Sequence, residues 1–382
     1  MTVEIEKKER VKETAGLVGA SYFPPNKVDN ETFANHLNEL RAKEDYKKPI
    51  TAQGIFERTG IQTRHLVDPI DKIPSPSEVE NRREEVIIDM AKRAADEALR
   101  QKNWSKAEVD AVIFSTSIPY QQKSPSKKLK SEVGFGPWIK GVDGDVIAEC
   151  ASLVWAFEYI LEKKSEYQGK NILYVASEWI TCLGAPCDLD RTLLSDGASA
   201  LAFCYGEDLE IISTSTKGFP DFAHLIRGPI QKELTDEEAL IKFVGIPPSN
   251  DPDGYETMDG RAVFVWALSP ETFPPLIGKV KETLGKEKSK IIIPHQANGR
   301  ITQAMEKHLL PPLGLSGVHL YDNIAQFGNC GSVTMPNALL EVTENGWIED
   351  GQKRILQKND VVMLVGFGAG MVAGVQALRI LK

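Results

Sequence analysis

The chain has 382 residues, of which 42% are hydrophobic, and carries a formal net charge of −9 at pH 7. That length allows a large core or two similar halves. The acidic balance argues against nucleic acid as a partner and suits a soluble enzyme. The charged N-terminal stretch MTVEIEKKERVKE has no apolar core, so we do not expect it to be a signal peptide.

Strand-like and helix-like segments alternate along the chain, which is typical of an α/β fold. In chain order, the sequence predicts a strand at 14–23, a helix at 84–101, a strand at 110–117, a short apolar run at 145–150 followed by a helix at 151–164, strands at 170–180 and 198–206, a helix at 268–284 with Pro270 at its first position, a strand at 290–294, helices at 299–310 and 333–345, and a strand pair at 361–366 and 371–378.

Two kinds of segment need a separate interpretation. The uncharged run 361–378 approaches the length of a membrane span, but four glycines interrupt it, so a strand, a glycine turn and a second strand are favoured. Long segments near 40–53, 118–143 and 220–256 are rich in Lys, Pro, Gly or Asp. Loops of that length predict binding lids or dimer contacts, with tolerated surface decoration as the alternative.

The chain contains five cysteines, namely Cys150, Cys182, Cys187, Cys204 and Cys330. An odd number without a secretory signal predicts a reduced, cytoplasmic protein. Cys182 and Cys187 lack a matching Cys or His pair, so we expect no metal site.

A weak internal repeat links two of these cysteines. ECASLVWAFEYI precedes the predicted strand NILYVAS, and NCGSVTMPNALLEV precedes the predicted strand VVMLVG. Each places Cys, a small residue and Ser at the start of an apolar helix that leads into a buried strand. Two halves related in this way would bring both helix starts close to one centre.

Cys150 is the first candidate for chemistry, because it separates an apolar run from a helix. The partial positive charge of a helix N-terminus predicts a lowered thiol pKa and hence a nucleophilic thiolate. Free cysteines are more often buried and inert. Cys330, at a similar helix start, competes for the same role.

Polar residues follow the predicted strand 290–294 in the stretch PHQANGR. His295 therefore lies at a strand end, where α/β enzymes keep their sites, although a single histidine there is more often structural. Asn329, within FGNCG, can donate two hydrogen bonds without carrying a charge, or can simply cap a helix. The glycines of GFGAG (366–370) expose backbone N–H groups suited to an oxyanion and lack the context of a dinucleotide site.

Cys150, His295, Asn329 and GFGAG occur in that order, together with RTGIQTRH (58–65), SDGASALAF (195–203) and MDGRAVFVWAL (258–268). This combination resembles the β-ketoacyl-acyl-carrier-protein synthase III family of the thiolase superfamily, across residues 15–380. The resemblance implies a five-layered αβαβα fold made of two duplicated halves, 1–218 and 219–382. It also implies a homodimer.

The resemblance further implies roles for the site residues. Cys150 would take an acyl group from acyl-coenzyme A or an acyl carrier protein, and His295 and Asn329 would bind the carbonyl oxygen of a malonyl or β-ketoacyl thioester. The N–H groups of Cys150 and those around Gly368 and Ala369 would hold the tetrahedral oxyanion. The thioesters are substrates, so no cofactor is expected.

Contacts with coenzyme A or a carrier are implied for four further residues, Arg58, Arg191, Asn298 and Arg300. Lys307 lies seven residues after Arg300 on the same predicted helix, which places both on one face. A basic face suits an acidic carrier protein, and an ordinary solvated helix face is the alternative.

Three positions depart from the family pattern, namely Gly54, Ser195 and Val265. They favour a specialised member, such as one that makes a polyketide starter, an alkylquinolone, an alkyl dione or a head-to-head ketone. A type III polyketide synthase shares Cys-His-Asn but has a different histidine motif. A degradative thiolase would need a cysteine in GFGAG, a papain-like protease would need its local signature, and a non-catalytic carrier-binding subunit would not need all three polar residues.

Overall fold

The computed structural model describes residues 16–43, 48–72, 74–117, 125–133, 144–228, 239–242 and 255–382. Its helices are α1 (Asn30–Lys43), α2 (Ala52–Thr59), α3 (Pro76–Lys102), α4 (Pro125–Val133), α5 (Ser152–Glu162), α6 (Lys164–Tyr167), α7 (Gly260–Ala267), α8 (Phe273–Leu284), α9 (Gly299–Ala304), α10 (Ile324–Phe327) and α11 (Thr334–Asn345). Its strands are β1 (Val18–Tyr22), β2 (Asn26–Asp29), β3 (Thr63–Leu66), β4 (Ala111–Ser115), β5 (Gly144–Ile147), β6 (Asn171–Glu178), β7 (Gly197–Cys204), β8 (Leu209–Gly218), β9 (Ile226–Arg227), β10 (Ala239–Lys242), β11 (Thr257–Met258), β12 (Ser289–Pro294), β13 (His319–Leu320), β14 (Trp347–Glu349), β15 (Gln352–Arg354), β16 (Val361–Gly368) and β17 (Val372–Ile380).

Two mixed sheets organise the chain. The first has the order β1-β7-β6-β4-β5-β10, and the second has the order β13-β12-β16-β17-β8. Neighbours are parallel from β6 to β10 in the first sheet and from β13 to β16 in the second, and the remaining pairs are antiparallel. Strands β4, β7, β16 and β17 are buried on both faces, as expected for sheets covered by helices on each side.

The helices complete five layers. Helix α5 contacts β4 and β5 of the first sheet and β8, β16 and β17 of the second, while α11 contacts β1, β7 and β12. Helices α3 and α4 pack on the outer face of the first sheet, and α8 packs on the outer face of the second. One apolar cluster joins Ile113 and Tyr174 of the first sheet, Phe157 of α5, Leu339 of α11 and Leu364 of the second sheet. The predicted αβαβα arrangement is confirmed.

The apolar character of α5 explains its central position. Ser152, Leu153, Val154, Ala156, Phe157 and Ile160 are all buried, so the helix presents apolar side chains to both sheets. Gly366 and Gly374 let the second sheet approach, because a Cβ at either position would lie within 3.2 Å of a Val154 methyl. The start of this helix is thereby held firmly between the layers.

Most predicted elements are present, with differences at their ends. The run 361–378 forms β16 and β17, as predicted, and no helix within the described residues is long and apolar enough to cross a membrane. The helix predicted from 268 begins only at Phe273, because Thr272 Oγ1 donates to Trp266 O at 2.7 Å and closes the preceding α7, which the sequence analysis missed. The helix predicted at 299–310 is α9 followed by a π-helical turn, Met305–Leu309.

The boundary predicted between residues 218 and 219 differs from the sheet membership. Strand β8, which ends at Gly218, is the edge strand of the second sheet, and β10 pairs with β5 of the first. The strand was missed because two of its four buried positions are Ser213 and Ser215, so the alternation of its burial is not visible as an alternation of apolar residues.

The three long segments lie only partly within the described residues. Helices α1 and α2 flank 44–47, helix α4 lies between 118–124 and 134–143, and β10 lies between 229–238 and 243–254. These five stretches lie outside the described residues, so the predicted role of the long segments as lids or dimer contacts stays a prediction.

Candidate active site

A single cavity brings together Cys150, His295 and Asn329, the three residues that the sequence analysis proposed for chemistry. Gly368 and Ala369 of the glycine motif line it as well. Most of the remaining wall is apolar, formed by Ile180, Leu183, Leu193, Leu194, Ile226, Met258, Val263, Ile301, Phe367 and Met371. Such a wall suits an acyl chain beside a few convergent polar groups.

Cys150 lies in a 3₁₀ turn, Glu149–Ala151, between β5 and α5. The turn is fixed by Ser152, whose Oγ donates to Glu149 O at 2.6 Å and accepts from Ala148 N at 3.2 Å. Strand β16 passes directly beside it, since a Cβ on Gly368 would lie only 2.8 Å from Cys150 N. Only glycine permits that approach, which explains the glycine motif without a bound nucleotide.

The electrostatic environment of Cys150 differs from the prediction. Burial raises the pKa of the Cys150 thiol well above its ordinary value, and the carboxylates of Glu178, Glu149 and Glu256 raise it further. The predicted lowering of this pKa is therefore wrong: desolvation and three acidic neighbours outweigh the partial charge of the helix start. The thiol is held protonated, so its proton must leave as the sulfur attacks.

His295 continues β12 and is held at three points. Its N–H donates to Val365 O at 2.8 Å, its ring lies edge-on to Phe367 at 5.1 Å, and its Nδ1 lies 2.7 Å from Thr334 Oγ1. Burial lowers the pKa of His295 to about 3. The imidazole is therefore neutral at physiological pH, with Nε2 left for the cavity.

Thr334 also controls the tautomer of His295. Its Oγ1 lies 3.0 Å from Gly331 O as well as 2.7 Å from Nδ1, and a hydroxyl has one proton to donate. When that proton goes to Nδ1, Nε2 carries the ring hydrogen and acts as a donor. The opposite arrangement leaves Nε2 with a lone pair.

Asn329 is held by its backbone and by its own side chain. Its N–H donates to Leu193 O at 2.9 Å, and its carbonyl accepts from Ser195 N at 2.8 Å. Oδ1 accepts from Gly331 N at 2.9 Å, so the amide group Nδ2 is the end that remains to donate into the cavity. Ser195, one of the departures from the family pattern, thus helps to fix Asn329.

Carboxyl groups around the cavity were missed by the sequence analysis. Glu178, at the end of β6, accepts from Ser117 Oγ at 2.8 Å and from Ser332 Oγ at 2.5 Å, and burial raises its pKa to about 6. Four other carboxyl groups line the cavity itself, those of Glu149, Asp188, Asp190 and Glu256. Two of these carboxyl groups had a signal in the sequence: Glu149 directly precedes the candidate nucleophile Cys150, and Glu178 ends a predicted buried strand.

The residues proposed for coenzyme or carrier contacts separate into two groups. Asn298 lines the cavity and caps α9 by accepting from Arg300 N at 2.9 Å. Arg300 Nε donates to Glu57 O at 2.7 Å, which places the exposed Arg300 and Arg58 together where α2 meets α9. Arg191 is 5% exposed, donates to Pro186 O, and does not line the cavity, so its geometry does not support a direct contact.

Lys307 is exposed in the π-helical turn that follows α9. A π turn contains more residues than an α turn, so the regular helical spacing from which a shared face of Lys307 and Arg300 was predicted does not continue through this turn, and the shared face stays a prediction. The other departures lie outside the cavity lining. Gly54 N donates to Thr51 Oγ1 at the start of α2, and the Val265 side chain is 63% exposed on α7.

The chain is similar to known condensing enzymes along nearly its whole length. Residues 281–380 match the family described as 3-oxoacyl-[acyl-carrier-protein (ACP)] synthase III C terminal. The β-ketoacyl-[acyl-carrier-protein] synthase III of Gloeobacter violaceus is 27% identical over 347 residues, 90% of this chain and 92% of that protein.

The crystal structure of 3-oxoacyl-[acyl-carrier-protein] synthase III from Aquifex aeolicus VF5 has a TM-score of 0.71 at 23% identity, covering 95% of this chain and 99% of that one. The priming β-ketosynthase of the R1128 polyketide pathway has a TM-score of 0.70 at 23% identity, covering 98% of both chains.

The layered sheets, together with these structural neighbours, define a thiolase-like fold. The proteins to which this chain is similar in sequence are named β-ketoacyl-[acyl-carrier-protein] synthase III.

Proposed function

We propose that this enzyme loads an acyl group onto Cys150 and condenses it with a second thioester to form a carbon–carbon bond. The convergence of Cys150, His295 and Asn329 on one apolar cavity carries the proposal. The acyl donor is an acyl-coenzyme A or an acyl carrier protein, and no other cofactor takes part.

In the loading step, the sulfur of Cys150 attacks the carbonyl carbon of the donor thioester. The bond between that carbon and the donor sulfur then breaks. The thiol proton ends on the departing coenzyme or carrier thiol, so the step is a thioester exchange. The backbone N–H of Cys150 and the close approach of Gly368 support an oxyanion position there.

In the condensation step, the carbonyl oxygen of the second thioester accepts from Nε2 of His295 and Nδ2 of Asn329. A neutral imidazole and an amide bind the enolate oxygen more strongly than the carbonyl oxygen from which it forms, which lowers the barrier. The enolate forms when a malonyl thioester loses its carboxylate as carbon dioxide or when a base removes an α-proton. The enolate carbon then attacks the carbonyl carbon of the acyl-cysteine, the new carbon–carbon bond forms, and the sulfur of Cys150 leaves and takes up a proton from solvent or from that base.

The positions of the three residues that depart from the family pattern support a specialised member of the family. Val265 on α7 and Gly54 on α2 would change the surface that a coenzyme or a carrier protein contacts. The backbone N–H of Ser195 donates to the carbonyl of Asn329. The apolar wall accommodates an acyl chain. The product therefore belongs to fatty acid, polyketide, dione, quinolone or head-to-head ketone biosynthesis.

Intact-mass spectrometry with a panel of acyl-coenzyme A and acyl-carrier donors tests the proposal. We expect the protein to gain the mass of one acyl group and the Cys150→Ala variant to gain none. Cys330→Ala is the matched control, since Cys330 is buried at the other helix start, and it should acylate normally. A mass gain that persists in Cys150→Ala, or no gain with any donor, would overturn the assignment.

A further inference from the structure

The charge of the cavity raises a question about the second substrate. Among its described lining residues, four carry carboxyl groups and none is Lys or Arg. A malonyl carboxylate entering this cavity would meet four carboxyl groups that already disfavour further negative charge, and no cation from those residues. In a low-dielectric site such a contact is unfavourable. A thioester whose α-carbon carries only hydrogen and carbon avoids this cost.

Glu149 is the carboxyl group whose position is most constrained. It directly precedes Cys150, lines the same cavity, and is 7% exposed. Its φ is 48°, in the left-handed region that non-glycine residues rarely adopt. A Cβ on Gly368 would lie 2.9 Å from Glu149 Cβ, so β16 leaves room for this side chain. A strained residue at a reactive turn points to a functional role.

The surroundings of Glu149 favour proton exchange. Burial raises its pKa well above the ordinary value, and the carboxylates of Glu178 and Glu256 raise it further. Glu149 and Glu178 also share the Ser117 side chain as a hydrogen-bond partner. A carboxylate with a raised pKa is a stronger base than one in water, as an acid–base catalyst near neutral pH requires.

Resting on the proposed function, we propose that Glu149 is the general base that removes an α-proton from the second acyl thioester. The enzyme then condenses two acyl thioesters without decarboxylation. Glu149 supplies the base, His295 and Asn329 hold the enolate oxygen, and Cys150 carries the electrophilic acyl group. All four line one cavity.

The proton and electron pairs balance within this set of residues. The Glu149 carboxylate takes the α-proton, and the C–H electron pair becomes the enolate. The enolate carbon attacks the carbonyl carbon of acyl-Cys150, and collapse of the tetrahedral intermediate breaks the carbon–sulfur bond. The protonated Glu149 then returns its proton to the neighbouring Cys150 thiolate, and both groups regain their starting states.

Hydrogen–deuterium exchange at the α-carbon tests this role directly. The enzyme is incubated in D₂O with acetyl-, octanoyl- or lauroyl-coenzyme A, and deuterium at C2 is measured by mass spectrometry. We expect exchange with the unmodified enzyme and a fall of about 10² to 10⁴-fold in Glu149→Gln, the range that general base catalysis contributes. Glu149→Asp should recover part of the rate.

Glu158→Gln provides a matched control. Glu158 lies on α5, the helix that follows Cys150, and its pKa is also raised by burial, but it bonds to Thr216 and is not among the cavity-lining residues. Its variant should exchange normally. Repeating the measurement in a Cys150→Ala background removes acyl loading, and Glu149→Gln should still abolish exchange there.

Acylation of the same preparations separates the two proposals. Acyl-enzyme in Glu149→Gln, with exchange lost, supports the base assignment and shows that the variant is folded. Exchange at the unmodified rate in Glu149→Gln overturns it, as does an unmodified enzyme that acylates but never exchanges. Failure of every donor to acylate Cys150 counts against the proposed function instead, and the exchange measured in Cys150→Ala still decides the role of Glu149.

Discussion

The two cysteine-bearing helix starts share a local sequence but serve different purposes. In each, a 3₁₀ turn of three residues leads into a central helix, Glu149–Ala151 into α5 and Gly331–Val333 into α11. The first turn contains its cysteine, and that thiol lines the cavity. The second turn begins one residue after its cysteine, and Cys330 is 1% exposed with Sγ 3.4 Å from Phe327 O. Asn329 takes the cavity position instead.

This difference shows how one motif provides two chemical groups. A shift of the turn by two residues along the same Cys-small-Ser pattern accompanies the exchange of a thiol for an amide at the cavity surface. Glu178 links the second turn to the first sheet, because it accepts from Ser117 after β4 and from Ser332 in the second turn. The two turns also contact each other directly.

The strongest test of this comparison is alkylation of the two thiols by iodoacetamide. We expect Cys150 to label and Cys330 to remain unlabelled in the folded protein, since only Cys150 reaches the cavity. The pKa of Cys150 is raised well above its ordinary value, so the thiolate fraction, and with it the labelling rate, should rise about tenfold per pH unit between pH 7 and 9. Peptide mapping gives both rates.

An acyl-coenzyme A donor should protect Cys150 from the same reagent. Loss of protection in the presence of a donor that acylates the protein would contradict the assignment of one shared cavity. A labelling rate that is already at its plateau at pH 7 would show that the helix start, rather than the carboxyl cluster, dominates the thiol.

The next test removes the amide that replaces a thiol in the second turn. Asn329→Ala should leave acylation of Cys150 intact and reduce condensation by about 10² to 10³-fold, the loss typical of one oxyanion donor. Intact mass reports the acyl-enzyme, and product formation reports condensation. Equal loss of both activities would show that Asn329 does not serve the second half-reaction alone.

Sequence reasoning located the site through spacing and strand ends. His295 was identified because a run of three isoleucines predicts a buried strand whose end reaches the site, and β12 has that form. The α/β class followed from the alternation of strand-like and helix-like segments, and the five layers followed from the family resemblance. Strand β8 was not found, because serines occupy two of its buried positions and hide the alternation that marks a strand.

The electrostatics of the site could not be predicted from the sequence. Glu178 and Glu256 are distant from Cys150 in the sequence, and the fold brings them close to its thiol. Glu149 is its neighbour in the sequence, but the sequence analysis did not consider its charge. A helix-start argument uses one local dipole, whereas the pKa of a buried thiol depends on desolvation and on every nearby charge. The π turn at 305–309 is likewise a tertiary feature.

A smaller effect is expected at Thr334, which orients His295 from the start of α11. Thr334→Val keeps the shape and removes the hydroxyl that lies 2.7 Å from Nδ1. Losing one hydrogen bond of about 1 kcal/mol, together with control of the tautomer, should slow condensation by about tenfold while acylation is retained. Thr334→Ser restores the hydroxyl and should recover the rate, unless the methyl group rather than the hydroxyl orients the ring.

The smallest effect concerns the stability of the carboxyl-rich cavity wall. Burial, with Asp188 nearby, raises the pKa of Asp190 to about 7 from 3.8. Between these values the folded protein holds a proton that the unfolded chain has released, so this group lowers stability progressively as pH rises, and fully above pH 7. Asp190→Asn removes that penalty. Thermal unfolding should show the variant more stable than the unmodified protein at pH 8 and little different at pH 4.

The exposed Asp221→Asn serves as the control and should show no such pH-dependent gain. An equal gain at both pH values would trace the effect to packing rather than to ionisation.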